Sequence, residues 1–332
     1  MPLSLSFVVP VYNRPDELRE LLSSMTRLEG SIPFEVVVVD DGSKPGCDEV
    51  MREFPGMNIH YYYKENTGPG DSRNYGMKRA SGNYFIILDS DCLLSAHYLL
   101  AVEESLNAEY VDCFGGPDAA HSKFNLRQKA ISFVMTSFWT TGGIRGNKRK
   151  LKPYEPRSFN MGMSKKAFEI SGGFGNLHPG EDPELVQRLW DLGFKTKYIE
   201  RALVYHKRRI TWSSYARQIY KFGLARSILN VKKPKYASWV FWLPIFVVLL
   251  GLTSLILGLL GCFNMLYFVL AYAIFLAFTG MLNLKSFRAL FMIPFVFAIQ
   301  SIAYAIGFIR GWFYLSVLHC DPHKKFPQMF RK

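Results

Sequence analysis

The sequence contains a pair of carboxylates, Asp89 and Asp91, separated by Ser90 at the end of an apolar run. The run 84–88 is typical of a buried β-strand. Alternate side chains of an extended segment share a face, so we expect the two carboxylates to point to the same side. Carboxylates and phosphate oxygens are ligands that Mg²⁺ and Mn²⁺ accept. The triplet therefore indicates a divalent-metal site for a phosphate-bearing ligand, although a solvated turn explains the triplet alone equally well.

Two more polar clusters follow apolar runs nearer the start of the chain. Pro10, Tyr12 and Asn13 come after the first run, and Asp40 and Asp41 come after the second. A tyrosine ring can stack on a nucleobase, and a carboxylate of either aspartate can accept the imide proton of a base. Each cluster is also compatible with a turn and a helix cap. Together with the carboxylate pair, they favour a nucleotide-binding site.

A glycine-containing segment, 66–70, precedes a predicted helix that contains Arg73. Backbone amides at the start of a helix and a guanidinium group can approach a phosphate from the same direction. The glycines are equally compatible with a simple turn. Arg73 is therefore a candidate phosphate ligand.

The elements that must position these residues alternate along the chain. Short apolar runs typical of strands are separated by helix-compatible stretches, and they cover residues 5–9, 34–39, 59–63 and 84–88. Alternating strands and helices indicate an α/β fold with a mostly parallel central sheet covered on both faces. Ligands of such sheets bind beyond the carboxyl ends of the strands, where the polar clusters lie.

Charge is distributed unevenly along the 332 residues, whose formal net charge is +13. Residues 195–235 contain twelve Lys or Arg and a single acidic residue, whereas residues 1–194 are mildly acidic. The part of the chain with the chemical motifs is therefore a poor nucleic-acid partner. A basic segment before an apolar region suits a membrane surface.

The last hundred residues are rich in apolar side chains. Three runs are about long enough to cross a bilayer, which needs roughly 20 apolar residues: 240–261, 266–284 and 289–315. Three spans would place the basic tail outside, against the positive-inside tendency. We therefore predict two or three membrane-spanning helices, the alternative for the third run being a re-entrant or interfacial segment with Arg310 facing protein or headgroups.

The ordered motifs over about residues 4–226 resemble a family 2 inverting glycosyltransferase with the GT-A fold. The resemblance implies a Rossmann-like nucleotide-sugar-binding domain, followed here by an α-helical membrane region. It implies that a divalent metal, Mg²⁺ or Mn²⁺, is held by Asp89, Asp91 and His206, although a structural role explains the lone His206 equally well. It also implies a nucleotide site formed by Pro10, Tyr12, Asn13, Asp40, Asp41, Arg73 and Ser90.

Downstream segments resemble the acceptor side of the same family. The motif Glu181-Asp182-Pro183 resembles the Glu-Asp motif of the family, which makes Asp182 the candidate general base of an inverting transfer. An aspartate before proline is also a good helix N-cap, and that alternative stays open at this point. The remaining acceptor-side candidates are Gly162, Gly173, Glu181 and Arg217. A basic, glycine-rich segment at 140–158 is predicted to form a mobile loop that closes over substrate.

These observations predict a metal-dependent transfer of one sugar from a UDP- or GDP-sugar to a lipid-linked or other glycan acceptor at the cytosolic membrane face. Alternatives are a soluble or protein acceptor, with the membrane segment only an anchor, and a non-catalytic scaffold that binds nucleotide sugars. The predicted domains are a cytoplasmic catalytic domain at 1–228, a basic linker at 229–238, transmembrane helices at 239–315 and a basic tail at 316–332.

Overall fold

A computed structural model of the chain describes residues 2–142, 153–207 and 211–331. These residues fall into two compact units. The first contains residues 2–119, 153–207 and 331, and the second contains residues 120–142 and 211–330. The predicted mobile loop at 140–158 lies mostly outside the described residues. The domain boundaries predicted from the sequence stay a prediction.

The first unit is built on two sheets. Its strands are β1 (Leu5–Val11), β2 (Phe34–Asp40), β3 (Ile59–Tyr63), β4 (Tyr84–Leu88), β5 (Cys92–Leu94), β6 (Cys113–Gly115), β7 (Asp118–Ala119), β8 (Asn160–Ser164), β9 (Thr196–Tyr198) and β10 (Val204–His206). In the described part of the chain, seven strands form one sheet in the order β3-β2-β1-β4-β8-β6-β9, and the order β5-β10-β7 forms the other. Strands β1 to β4 are parallel, and β8 is antiparallel to both of its neighbours. The predicted mostly parallel α/β sheet is confirmed.

The helices are distributed between the two units. They are α1 (Pro15–Met25), α2 (Asp48–Met51), α3 (Pro69–Met77), α4 (Tyr98–Ala108), α5 (Leu126–Thr136), α6 (Phe138–Thr141), α7 (Lys165–Ser171), α8 (Glu181–Asp191), α9 (Trp212–Lys232), α10 (Leu243–Leu259), α11 (Asn264–Leu284), α12 (Ala289–Trp312) and α13 (Pro322–Lys325). Helices α5, α6 and α9 to α13 belong to the second unit.

Apolar side chains cover both faces of the large sheet, because successive side chains of a strand point to opposite faces. Phe7 and Val9 of β1 pack into one core with the apolar side of α1, whereas Val8 packs into the other core with Val186 of α8. Full burial of one such side chain contributes about 1.5–3 kcal/mol. The two cores therefore fix the sheet that carries the polar clusters at its edge.

Strand β1 is longer than predicted and includes Pro10. Leu5 donates to Pro33 of the β2 side, and the carbonyl of Val11 accepts from Asp41, so the odd-numbered residues of β1 bond toward β2. Pairing of β1 with β4 ends at Val8. Pro10 is even-numbered and therefore faces the β4 side, where pairing has already ended. Its missing N–H thus costs no hydrogen bond of the sheet.

The second unit contains three apolar segments that are long enough to cross a membrane: Trp239–Leu259, Asn264–Leu284 and Ala289–Val317. This agrees with the apolar runs found in the sequence. Helix α12 runs without a break through Pro294. The number of membrane passes and their orientation stay predictions.

Helix α9 packs along α12 in the same direction. The Tyr215 hydroxyl donates to Gln300 Oε1 at 2.9 Å. More than one turn farther along both helices, Arg310 donates to the Tyr220 hydroxyl at 2.9 Å. Small residues allow the backbones to approach: a Cβ on Gly223 would lie 2.3 Å from the Tyr304 carbonyl oxygen. Close approach through small residues is a feature of helix packing in membranes. Arg310 therefore faces protein at this contact.

Adding a methyl group at this contact should destabilise the second unit. A Cβ on Gly307 would lie 2.1 Å from the Tyr220 carbonyl oxygen. We expect Gly307→Ala to lower the free energy of unfolding by about 1–3 kcal/mol through overpacking, measured by thermal or urea unfolding of the detergent-solubilised chain. Gly251→Ala on α10 is the matched control, because a Cβ there meets nothing within 4 Å. Equal effects of the two substitutions would contradict the packing.

Candidate active site

The carboxyl ends of β1, β2 and β4 bring the predicted donor-side residues to one edge of the large sheet. Residues 12–14 follow β1, residues 41–43 follow β2, and residues 89–91 follow β4. Because β1 lies between β2 and β4 in the sheet, the three segments are neighbours. The crevice beyond the carboxyl ends of parallel strands is where α/β sheets bind their ligands.

The triplet Asp89-Ser90-Asp91 forms a turn between β4 and β5. The backbone N–H of Cys92 donates to the Asp89 carbonyl oxygen at 3.1 Å. The extended geometry assumed from the sequence is therefore wrong, because the triplet turns before β5 begins at Cys92. The two carboxylates have different partners: Asp89 bonds to Arg73, and Asp91 bonds to Arg14. Ser90 is buried within the turn.

His206 lies beside Asp91 because of strand register. Strand β10 is antiparallel to β5, and this pairing sets His206 opposite Cys92. His206 Nε2 lies 3.2 Å from Asp91 Oδ1, and its ring packs 4.8 Å from the Phe159 ring. Two of the three predicted metal ligands therefore meet, although they are separated by more than a hundred residues in the sequence.

The donor set around Asp91 fits a divalent cation. Asp91 Oδ1 is buried and makes no hydrogen bond within the described residues, and it forms a cluster with Cys92 and His206 in which the ligand atoms lie within 4.8 Å of one another. Burial raises the pKa of Asp91, but His206 and Arg14 lower it by a larger amount. The pKa of Asp91 therefore stays well below its ordinary value. A carboxylate that stays ionised next to an imidazole nitrogen is a suitable metal ligand.

Arg14 is a site residue that the sequence analysis missed. Its Nη1 lies 2.6 Å from Asp91 Oδ2, and the side chain of Arg14 is one-third exposed. Asn13, just before it, has a φ of 53°, which turns the chain at the end of β1 toward Asp91. The only signal in the sequence was its position directly after the first polar cluster. A guanidinium at this point neutralises one oxygen of Asp91 and leaves the other facing His206.

The predicted nucleotide residues have distinct environments. Tyr12 is 49% exposed, so its ring is open for stacking. Asn13 joins the loop after β1 to the loop after β2. Its Oδ1 accepts from the backbone N–H of Lys44, and its own N–H donates to the Ser43 hydroxyl. Pro10 lies inside β1.

Asp40 and Asp41 differ in what they hold. The Asp40 carboxylate is fully buried and accepts from Ser43, Cys47 and the Tyr61 hydroxyl. Burial raises the pKa of Asp40, but these hydrogen bonds lower it below its ordinary value. Asp41 instead faces the next loop, where its Oδ2 accepts from the N–H of Gly68 at 2.9 Å.

The loop before α3 gathers cations around Asp41. Lys64 Nζ lies 2.7 Å from Asp41 Oδ1. Arg331, near the end of the chain, packs over Gly68: a Cβ on this glycine would lie 3.1 Å from Arg331 Nε. The backbone N–H of Arg331 is anchored by the Asn176 carbonyl at 2.8 Å. From the sequence, Arg331 is predicted only to belong to a basic tail.

Arg73 connects Asp89 of the predicted metal and diphosphate site to Glu181 of the predicted acceptor-side motif. Its guanidinium is buried and lies 2.7 Å from Asp89 Oδ1 and 3.0 Å from Glu181 Oε1. It also packs over the Phe174 ring, 5.2 Å from the centroid. Burial lowers the pKa of Arg73, but the two carboxylates raise it above its ordinary value, so the side chain stays charged. An arginine buried between two carboxylates fixes both, because moving either one leaves a buried charge uncompensated.

Asn74, the next residue of α3, holds the acceptor-side glycine segment. Its Nδ2 donates to the Phe174 carbonyl and its Oδ1 accepts from the Phe174 N–H, both at 2.8 Å. Gly173 has a φ of 74°, and a Cβ there would lie 2.2 Å from Asn74 Oδ1. Only glycine fits this close approach in this backbone conformation. Gly173 therefore allows the double hydrogen bond that ties 172–174 to α3.

Asp182 lies in the first turn of α8 and is not its cap. The helix begins at Glu181 with Gly180 as the N-cap residue, and no side chain caps it. The alternative interpretation of Asp182 as a helix cap is therefore wrong. Asp182 Oδ2 lies 3.8 Å from Arg157 Nη1, and the Asp182 side chain is 18% exposed. The carboxylate is thus reachable from solvent in a way that the buried Glu181 is not.

The other acceptor-side candidates are spread more widely. Gly162 lies in β8 between β4 and β6, and a Cβ on it would overlap the Phe114 ring. Glu181 is buried and accepts from Gly180, with His178 Nδ1 at 3.1 Å. Arg217 is exposed on α9 in the second unit. The roles assigned to these residues stay predictions.

The ion pair of Glu181 should make the free energy of unfolding depend on pH in the acid range. Burial raises the pKa of Glu181, but His178 and Arg73 lower it to about 2. The ionised side chain therefore stabilises the fold above its ordinary pKa of 4.5, and this stabilisation is lost as the pH falls through about 2. We expect Glu181→Gln to cost on the order of 3 kcal/mol near neutral pH, with the gap to wild type closing in acid.

The measurement is denaturant unfolding of both proteins at several pH values down to the acid limit of the native state. Glu184→Gln is the control, since Glu184 pairs with Arg188 on the partly exposed side of the same helix. A gap between wild type and Glu181→Gln that is independent of pH would contradict the assignment of the effect to the carboxylate charge.

Comparisons with known proteins agree with this geometry. The sequence is 29% identical over 241 residues to chondroitin synthase of Escherichia coli, a match that covers 61% of this chain and 34% of that protein. It is 30% identical over 210 residues to glycosyltransferase AglE of Haloferax volcanii, covering 62% of this chain and 67% of that protein. The chain thus spans about a third of the length of the chondroitin synthase that it matches.

The fold has a counterpart among solved structures. The mannosyltransferase PcManGT from Pyrobaculum calidifontis, solved in complex with GDP-Man and Mn²⁺, superposes with a TM-score of 0.58 at 16% identity, covering 94% of this chain and 87% of that chain. The likeness confirms the GT-A fold predicted from the sequence. The profile of the family described as "Glycosyl transferase family 2" matches residues 6–176, and the chain belongs to that family.

Proposed function

We propose that this chain transfers one sugar from a nucleoside-diphosphate sugar to a lipid-linked acceptor, with inversion at the anomeric carbon. The observation that carries the proposal is the buried Arg73, which bonds both to Asp89 of the predicted diphosphate site and to Glu181 of the predicted acceptor motif. A transferase must hold two substrates in one reactive geometry, and a rigid link between their sites supplies it.

The donor occupies the edge formed by the ends of β1, β2 and β4. Tyr12 stacks on the base, and Asp40 or Asp41 accepts its imide proton; both carboxylates are buried and held by hydrogen bonds at this edge. Family membership supports a nucleotide-sugar donor. GDP-mannose is the first donor to test, since the structurally similar mannosyltransferase carries GDP-Man.

Asp91 and His206 hold a divalent metal, with Asp89 completing the set on the diphosphate side. The buried Asp91 Oδ1 next to His206 Nε2 supports this assignment. A divalent metal held by these residues would supply positive charge opposite the leaving diphosphate. Arg14 and Arg73 contribute fixed positive charge at the two aspartates.

Asp182 is the general base. The acceptor hydroxyl oxygen forms a bond to the anomeric carbon while the bond from that carbon to the diphosphate oxygen breaks. Asp182 takes the hydroxyl proton, and the nucleoside diphosphate leaves with the bonding electron pair. Asp182 lies in the first turn of α8 with its side chain 18% exposed, and this partial exposure supports access of an acceptor hydroxyl to its carboxylate.

The acceptor is a lipid-linked phosphate or oligosaccharide at the cytosolic face of a membrane. Three apolar helical segments support membrane anchoring of the chain. To test this, membranes containing the full chain are incubated with labelled nucleotide sugars and either polyprenyl-phosphate lipids or soluble glycans. Transfer to soluble glycans alone would make the membrane segment only an anchor, and neither transfer nor donor hydrolysis would favour a non-catalytic scaffold.

Replacing the base should remove chemistry and leave donor binding intact. We expect Asp182→Asn to lower kcat by about 10²- to 10⁴-fold, because general-base catalysis contributes that much, while donor affinity changes little. The control is Asp191→Asn at the other end of α8. Turnover close to wild type in a folded Asp182→Asn protein would eliminate this residue as the base.

Metal binding should depend on the aspartate and histidine that meet at the site. We expect Asp91→Asn and His206→Ala each to weaken Mn²⁺ affinity by at least about tenfold, measured by calorimetric titration of the protein without donor. Asp16→Asn, which removes an exposed carboxylate on α1, should leave the affinity unchanged. Retained Mn²⁺ affinity in both site variants would place the metal elsewhere.

A further inference from the structure

The second unit contains an open cavity that the transfer reaction does not use. It has a volume of about 560 Å³ and lies between the start of α5 and the turn that joins α11 to α12. Its lining combines apolar and basic side chains with one hydroxyl, and no described lining residue is acidic: Leu126, Lys129, Leu284, Lys285, Ser286, Phe287 and Arg288. Such a lining accepts a ligand that is anionic at one end and apolar at the other.

The cations of this cavity have few internal partners. Lys285 and Arg288 are exposed, and neither side chain forms a hydrogen bond or an ion pair with another described residue. Lys129 donates to the Ser122 carbonyl oxygen at 2.6 Å, which holds its amine beside the start of α5. Three positive charges in one lining repel one another, so an anion in the cavity relieves that repulsion.

The apolar part of the lining is also uncovered. Phe287 is 70% exposed, although it lies in a turn between two apolar helices. Lys285 ends α11 with a φ of 49°, which reverses the chain so that Phe287 and Arg288 precede α12 directly. An exposed large aromatic next to unpaired cations is typical of a protein surface at the boundary between hydrocarbon and headgroups.

The packing of the second unit shows where along the helix bundle the cavity opens. Residues 260–263 connect α10 to α11 in a short turn, so the start of α10 and the end of α11 lie at the same end of the helix bundle. Helix α5 packs on Ile293 and Val296 of α12. Farther from the cavity, Trp139 of α6 contacts the Phe275 ring of α11 at 4.9 Å. The cavity therefore opens at the ends of the apolar helices, where a membrane surface would lie.

We propose that this cavity binds the phosphate headgroup of a membrane lipid. The phosphate bonds to Lys129, Lys285 and Arg288, and the first carbons of the lipid chain pack on Leu126, Leu284 and Phe287. The proposal rests on the membrane anchoring proposed above, but it does not require the transfer reaction. Lipid binding is measured without donor, so its failure is distinguishable from a failure of catalysis.

The test is native mass spectrometry of the detergent-solubilised full chain titrated with defined lipids. The probes are dioleoyl phosphatidic acid, a polyprenyl monophosphate, dioleoyl phosphatidylcholine and inorganic phosphate. We expect both phosphate monoester lipids to bind more tightly than phosphatidylcholine. Lys285→Ser/Arg288→Ser should weaken that binding about twenty-fold or more, because each cation near a membrane surface contributes on the order of 1 kcal/mol.

The matched control is Lys233→Ser/Lys235→Ser, which removes the same charge shortly before α10. It should change lipid affinity by less than about twofold if the cavity is specific. The variant Lys285→Arg/Arg288→Lys, which keeps the charge, should retain binding.

Three outcomes would overturn the proposal: equal loss in the control variant, equal affinity for phosphatidylcholine, or displacement of the lipid by inorganic phosphate at comparable concentration. If both monoester lipids bind, the tighter of the two identifies whether a glycerolipid or a polyprenyl chain occupies the apolar wall, and either result supports a lipid-phosphate site.

Discussion

The buried guanidinium of Arg73 is the interaction on which the candidate site depends. It lies between Asp89 and Glu181, two carboxylates that are 92 positions apart in the sequence. Removal of Arg73 leaves the buried Glu181 without this partner, and removal of either carboxylate leaves the buried guanidinium with only one; breaking a buried ion pair costs several kcal/mol. Asn74 on the same helix holds Phe174 by two further hydrogen bonds, so one turn of α3 positions the whole acceptor-side segment. The proposed donor and acceptor sides are therefore held together by side chains of a single short helix.

A second constraint is the register between β10 and β5. Antiparallel pairing of His206 with Cys92 leaves the imidazole beside Asp91, the residue just before β5. A slip of one residue would turn His206 to the other face of the sheet and remove it from the carboxylate. The Phe159 ring, packed on the imidazole, further restricts it. The pair of Asp91 and His206 therefore relies on strand pairing for its geometry, whereas the link through Arg73 relies on charge.

The second unit combines apolar helices with side chains that are poorly suited to a bilayer interior. Gln300 and Arg310 of α12 both bond to tyrosines of α9. Polar groups surrounded by hydrocarbon need internal partners, and α9 supplies them along one side of α12. Residues 126–141 also join this unit, although nothing in their composition separated them from the catalytic region. Helices α5 and α6 thus join the apolar bundle, and the start of α5 forms one wall of the proposed lipid site.

The sequence by itself determined the alternation of strands and helices, the polar clusters after β1, β2 and β4, and the three apolar segments. These features are local: the period of apolar residues reports the buried face of an element, and a polar cluster after a strand reports its end. The tertiary structure decided which partners those residues find. It joined Arg14 to Asp91, Arg73 to Glu181, and Arg331 to Gly68, and it turned the Asp89-Ser90-Asp91 triplet instead of leaving it extended. It also decided that Gly180, not Asp182, caps α8. Such contacts join residues far apart in the chain or depend on the dihedral angles of a single turn, and neither strand register nor helix packing is encoded in local periodicity.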